Sequence, residues 1–158
     1  MRPERNLGVA SSWNLIGKLA RPLTLVILND DCVVAPDTLE RMLAPAVPAI
    51  VLALGFCCFR IDDEVWRAVG YFDEGFFPAY FEDADYRHRL SLAGVPVVQW
   101  ETFPRDLLDT PYGRRERGPS GIVHGKYVEG SYQGWAGIDF DRVQSQLEAN
   151  KQRYVQKW

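Results

Sequence analysis

The apolar positions along the chain follow two periods, and the switches between them outline its elements. Residues 23–28, "LTLVIL", form an unbroken apolar run of strand length, which predicts a central strand covered on both faces. "AIVLALGFCCF" (49–59) reads as a second buried strand interrupted by Gly55, and "VPVVQW" (95–100) as a third. Between them the spacing turns helical. "ASSWNLIGKLA" (10–20) sets Trp13, Ile16, Leu19 and Ala20 on one face, with Ser11 or Ser12 as the cap and Pro22 as the stop. A short helix is expected from Asp37 and Thr38 to about Leu43, with Pro36 close to its start. "DDEVWRAVG" (62–70) and "EDADYRHRLSLAG" (82–94) share one design: acids in the first turn, where the helix dipole favours them, and a glycine at the exit. "DFDRVQSQLEANKQRYVQKW" closes the chain as a helix with Phe140, Val143, Leu147 and Tyr154 toward the body, while 101–137 are loop-like. Strands alternating with helices predict one α/β domain over 1–158, layered about a mostly parallel sheet. In such sheets ligands sit beyond the carboxyl ends of the strands.

Composition narrows the function classes. A chain of 158 residues that is 47% hydrophobic and 25% charged can bury a real core without staples. The net charge of −3 argues against a whole-protein field for nucleic acid or anionic membrane. The three cysteines, Cys32, Cys57 and Cys58, fit no zinc or disulfide spacing, which favours a reducing, cytoplasmic setting. The most apolar window, 43–59, contains Pro45 and Pro48 and is too short to span a bilayer, so no transmembrane segment is expected. The polar first residues, with Arg2, Glu4 and Arg5, do not read as a signal peptide.

Candidate chemistry begins where the first apolar run ends, at Asn29, Asp30 and Asp31. Adjacent carboxylates at the mouth of a core strand repel each other, and a bound cation would relieve them; a plain turn is the alternative, since Asn and Asp are natural turn formers. Glu82 and Asp83 form a second acidic pair. Acids there are good helix chemistry in their own right, and Asp83 with Arg87 and Asp85 with Arg89 are spaced for ion pairs. His124 lies alone in a loop-like stretch and has the right chemistry for a Mn²⁺-type site, whereas His88, between two arginines, reads as a surface residue. Arg114, Arg115 and Arg117 are either a solvated charge run or a loop that closes over phosphates. Trp100 and Trp135 belong either to core packing or to stacking on a sugar face.

Taken together, these stretches resemble a known family. "VILNDDCVVAPDTLERML" resembles the N-x-D variant of the D-x-D motif of inverting GT-A glycosyltransferases of family two. "GFCCFRIDDEVWRAVGYFDEGFFPAYFEDADYRHRLSLAGVPVV" is similar to their acceptor-side block, "NLGVASSWN" (6–14) to the helix before the metal motif, and "GIVHG" (121–125) to the late histidine motif. "NKQRYVQKW" resembles the closing helix of rhamnosyltransferase-like members, and the matches come in the family's order along nearly the whole chain.

The resemblance implies a Rossmann-like, three-layer GT-A fold and metal-dependent transfer of a hexosyl group from a nucleotide-diphospho-sugar to a hydroxyl acceptor such as a glycan. It implies a donor and metal side over 1–45, an acceptor side with a mobile loop over 46–137, and a closing helix over 138–158. Asp31, with His124, would hold Mn²⁺ or Mg²⁺. Asn29 would serve a ribose or a metal-bound water, Asp30 would occupy the motif's variable position on the donor side, and Gly8 and Asn14 would flank the donor phosphates. Asp83 would act as the catalytic base, with Glu82 orienting acceptor hydroxyls. Gly55, Phe56 and Trp135 would line the acceptor site. The strand, helix and strand that hold the nucleotide base in the family have no counterpart here. The expectation is therefore an N-terminally truncated member, or one completed by another chain or by a homo-oligomer. Two other classes stay open: a glycan- or partner-binding module without catalysis, and a metal-dependent nucleotidyltransferase, for which "NLGVASS" is a poor phosphate loop.

Overall fold

The computed structural model describes residues 6–29, 32–34, 36–46, 48–99, 123–124 and 140–158. Helix α1 (Val9–Ala20) leads into β1 (Leu25–Leu28) and the short β2 (Cys32–Val33), then α2 (Thr38–Leu43) and β3 (Ile50–Leu54). β4 (Cys58–Ile61), α3 (Asp63–Val69), α4 (Glu82–Leu92), β5 (Val97–Gln99), β6 (Val123–His124) and α5 (Phe140–Lys157) follow. The architecture is mixed α/β: a four-stranded sheet in the order β1-β4-β3-β5, and a separate ribbon of β2 with β6. None of the described helices is long and apolar enough to cross a membrane.

The sheet is not mostly parallel as predicted. Only β3 and β5 run parallel, whereas β4 is antiparallel to both of its neighbours. The reason lies at Gly55. The run 49–59 is not one strand with a flaw but a hairpin, whose chain reverses through Gly55, Phe56 and Cys57. Gly55 has a φ of 53°, the left-handed conformation such a reversal uses and glycine adopts without cost.

Alternation in the strands sorts the core. Ile27, Ile50, Leu52, Phe59 and Ile61 face α1, α3 and α4, where Trp13, Trp66, Phe72 and Tyr86 complete one cluster. Val51, Ala53 and Cys58 face the other way and pack on Met42 of α2. Fully burying side chains of this kind contributes roughly 1.5–3 kcal/mol each. β1 departs from its prediction as a doubly covered strand: it pairs with β4 alone among the described residues, and Leu28 is 45% exposed. The buried face of α1 is Ala10, Trp13, Asn14 and Gly17 rather than the predicted stripe, and the helix is capped by Gly8 instead of a serine. Gly17 explains the rotation, because a Cβ there would meet the Trp66 ring at 3.0 Å.

A buried ion pair locks one end of the sheet. Arg60 donates to both oxygens of Asp62 (3.0 and 2.6 Å) and also to the carbonyls of Met42 and Pro45. Asp62 in turn accepts from Thr24 Oγ1 and the Ala49 amide. Burial alone would raise the Asp62 pKa, but these donors together hold it below the usual carboxylate range. Its contribution is therefore present above the unfolded-state pKa and fades as pH falls through the lower folded value. Asp62→Ala leaves Arg60 charged, buried and half-satisfied, and should lower unfolding free energy by about 3–5 kcal/mol in urea titration at neutral pH. A loss below about 1 kcal/mol would contradict the clamp.

Candidate functional site

Two acids that the packing does not use mark the site. α4 opens on Glu82, Asp83 and Asp85, and only the last belongs to the fold's own ion pairs. Asp85 is fully buried and accepts from Arg89 (2.9 Å), Lys157 (2.7 Å) and the Trp158 indole (3.0 Å). Among the described residues neither Glu82 nor Asp83 has a basic partner. The expected Asp83–Arg87 pair does not form: Arg87 donates to Gln99 (3.3 Å) and lies over the Phe56 ring. Half-buried Asp83 accepts from the adjacent Ala84 amide at 2.8 Å. Glu82 is only 6% exposed, and its Oε2 has no hydrogen-bond partner among the described residues. Burial pushes its carboxyl up to about 7, against the pull of its own backbone N–H and with a smaller push from Asp83.

The loop that delivers these acids is held in a costly shape. Tyr80 and Phe81 have φ of 74° and 73°, left-handed values that cost of order 1–3 kcal/mol each for such side chains. Helix α1 grips the loop through its first turn, where the Val9 amide donates to the Pro78 carbonyl (2.8 Å). Gly8 permits that approach: its φ is 78°, and a Cβ would lie 2.8 Å from the Pro78 oxygen. Asn14 holds the preceding segment with its amide nitrogen on Phe72 O and Glu74 Oε1 and its oxygen on the Phe72 N–H. Any direct contact between Asn14 and a donor would break these bonds. From the other helix, Asn150 donates to the carbonyls of Phe77, Ala79 and Tyr80. Asn150 was missed from sequence, although an amide aligned with Leu147 and Tyr154 on one helical face was a usable signal.

The hairpin tip connects this helix to the exit of β1. The Asn29 amide donates to Cys57 O (2.9 Å), and next to it the Phe56 ring packs on Tyr86 at 6.1 Å. Phe56 is thus a core side chain, 6% exposed among Trp13, Phe59 and Phe72, while a Cβ added at Gly55 would meet no described atom within 4 Å. Asn29 O accepts from the Cys32 amide (3.1 Å). The β2–β6 register sets His124 opposite Cys32, the residue after Asp31. A carboxylate such as Asp31 and an imidazole such as His124 have the donor chemistry that a Mn²⁺-type ion takes. Asp30, Asp31, Trp100, Trp135, the arginines 114, 115 and 117, and the His124 side chain lie outside the description. No group of three or more His, Cys, Asp or Glu gathers among the described residues. Alongside the loop is an open hollow of about 530 Å³ lined by Leu7, Leu15, Lys18, Glu74 and Phe77, among others, but by neither Glu82 nor Asp83.

Compared with family models, curated proteins and solved structures, the chain matches none of them.

Because the folded pKa of Glu82 is raised, the folded state holds a proton that the unfolded chain releases at lower pH. Stability should therefore fall as pH rises from about 4.5 to about 7, and stay level above that. Glu82→Gln should match the wild type near pH 4.5 and exceed it by about 3 kcal/mol near pH 8, as read from urea midpoints. Equal pH slopes for the two proteins would contradict the buried, half-paired carboxyl.

Proposed function

We propose that the protein is a metal-dependent, inverting glycosyltransferase of GT-A type, acting on a nucleotide-diphospho-sugar and a hydroxyl acceptor. The observation that carries this reading is the Glu82–Asp83 pair, without a cationic partner among the described residues at the end of a clamped, left-handed loop. A fold gains nothing by burying a carboxylate oxygen without a partner, which costs roughly 1–3 kcal/mol. A ligand hydroxyl would supply that partner.

In this reading Glu82 hydrogen-bonds the acceptor and sets its orientation. Asp83, beside it and more open to solvent, takes the proton from the attacking hydroxyl as the new sugar–oxygen bond forms and the bond to the diphosphate breaks. An ordinary carboxylate is a weak base for an alcohol, and it suffices when proton removal lags behind bond formation. Asp31 and His124 would hold the divalent cation, which supplies charge neutralisation of the departing diphosphate. The hairpin tip couples the two stations, since Cys57 anchors Asn29 while Phe56 packs against α4. Asn29 and Asp30 would then lie on the donor side, and the rigid placing of the acids would provide alignment.

A screen of nucleotide sugars with Mn²⁺ or Mg²⁺ should find one that is hydrolysed or transferred, with the activity lost to a chelator. Asp83→Asn should lower kcat by about 10²–10⁴-fold with unchanged circular dichroism. Turnover of Asp83→Asn at the wild-type rate would remove the base assignment. Nucleotide-independent glycan binding without turnover would make the protein a binding module instead.

A further inference from the structure

Helix α5 touches the acids' segment through one face: Asn150, Tyr154, Lys157 and Trp158 follow a spacing of four, three and one. Tyr154 packs its ring on Phe81 at 5.7 Å, Lys157 reaches Asp73 and Asp85, and Trp158 donates to Asp85 and lies against His88. Within this face Asn150 differs from the rest. It is a polar side chain only 2% exposed, and its Nδ2 reaches three backbone carbonyls in the loop that turns left-handed at Tyr80 and Phe81. Backbone carbonyls gathered at one point repel one another, and a shared amide donor relieves them. Without it, aromatic residues at positive φ would relax toward the ordinary regions of backbone space.

We propose that Asn150 is a positioning residue for the reaction: it fixes the carbonyls of Phe77, Ala79 and Tyr80 and so holds Glu82 in its buried, half-paired place. The proposal rests on the transferase reading for the chemistry, although the geometry it invokes can be measured without turnover. The hydrogen bonds that Asn150 donates go to the backbone of the loop, so its effect on Glu82 passes through that backbone.

The test compares Asn150→Asp with Arg153→Ala, a control that removes another α5 contact, the ion pair with Asp73. The acidic variant keeps the shape but replaces the donor with an anion facing carbonyls. Carbon-13 NMR of the glutamate side chains in the full chain should show the Glu82 midpoint dropping from about 7 toward the ordinary carboxylate range. With a donor found by the screen, kcat should fall by at least about tenfold while KM changes by less than about threefold. Arg153→Ala should leave the Glu82 midpoint in place and kcat within about twofold. Adding Tyr80→Gly to Asn150→Asp should recover part of the loss, because glycine takes the left-handed angle without a clamp. If Asn150→Asp does not fold, Asn150→Gln, which keeps the donors on a longer arm, provides the same reading in milder form. An unchanged Glu82 midpoint in both Asn150 variants, or an equal shift in Arg153→Ala, would overturn the inference. If the wild type turns over no nucleotide sugar, the transferase reading fails and the Glu82 midpoint alone decides this one.

Discussion

The hydrogen bonds that α1 and Asn150 make to the loop at 77–80 are the constraint on which the site depends. Two aromatic residues in left-handed conformation precede the acids, and such a backbone persists only where its surroundings over-determine it. Here the surroundings are the first turn of α1, admitted by Gly8, and an amide from the far end of the chain. The chain's two ends thus meet at the loop that presents Glu82 and Asp83. A local sequence, "AYFED", acquires its shape from partners about 70 residues away on either side.

The carboxylates divide into two populations, and the division is what gives the site its meaning. Asp62 and Asp85 are buried and paired with arginine or lysine, and Asp73, one-fifth exposed, is held down to about 2 because Lys157, the Gly75 amide and Arg153 outweigh the upward push of burial. Asp62 and Asp73, both held below the usual carboxylate range, stay charged through the neutral range. Glu82, by contrast, is pushed up toward neutrality by burial. Those paired carboxylates hold their charge across the range in which Glu82 exchanges a proton, an arrangement that the proposed transferase reading would use at the acceptor hydroxyl.

Much of the fold was legible in the sequence because its signals are local. Helix α4 begins at Glu82 and the α3 helix exits at Gly70, as acids in a first turn and a glycine after a last one require. The hairpin was hidden because "AIVLALGFCCF" is apolar throughout, so nothing in its composition marks the reversal, and the parallel sheet was inferred from that omission. The face of α1 was misjudged for a related reason: Asn14 and Gly17 are buried by specific partners, Phe72 and Trp66, and not by hydrophobicity. Glu82 and Asp83 stand out in the sequence as acids in a helix's first turn, and they do open α4. The grip of Asn150 could not be read this way, since a contact across more than seventy residues leaves only an amide on a helical face as its trace.

The central claim is that the turn after β1 and the head of α4 share one cleft, with a cation at the first and unpaired acids at the second. Paramagnetic broadening of assigned backbone amides by Mn²⁺, added with a nucleoside diphosphate, tests this most directly. The account predicts strong broadening at 29–32 and 123–124, and weaker, distance-graded broadening at 82–84. Broadening at neither strand, or at the strands while 82–84 stay as sharp as the far end of α3, would contradict it.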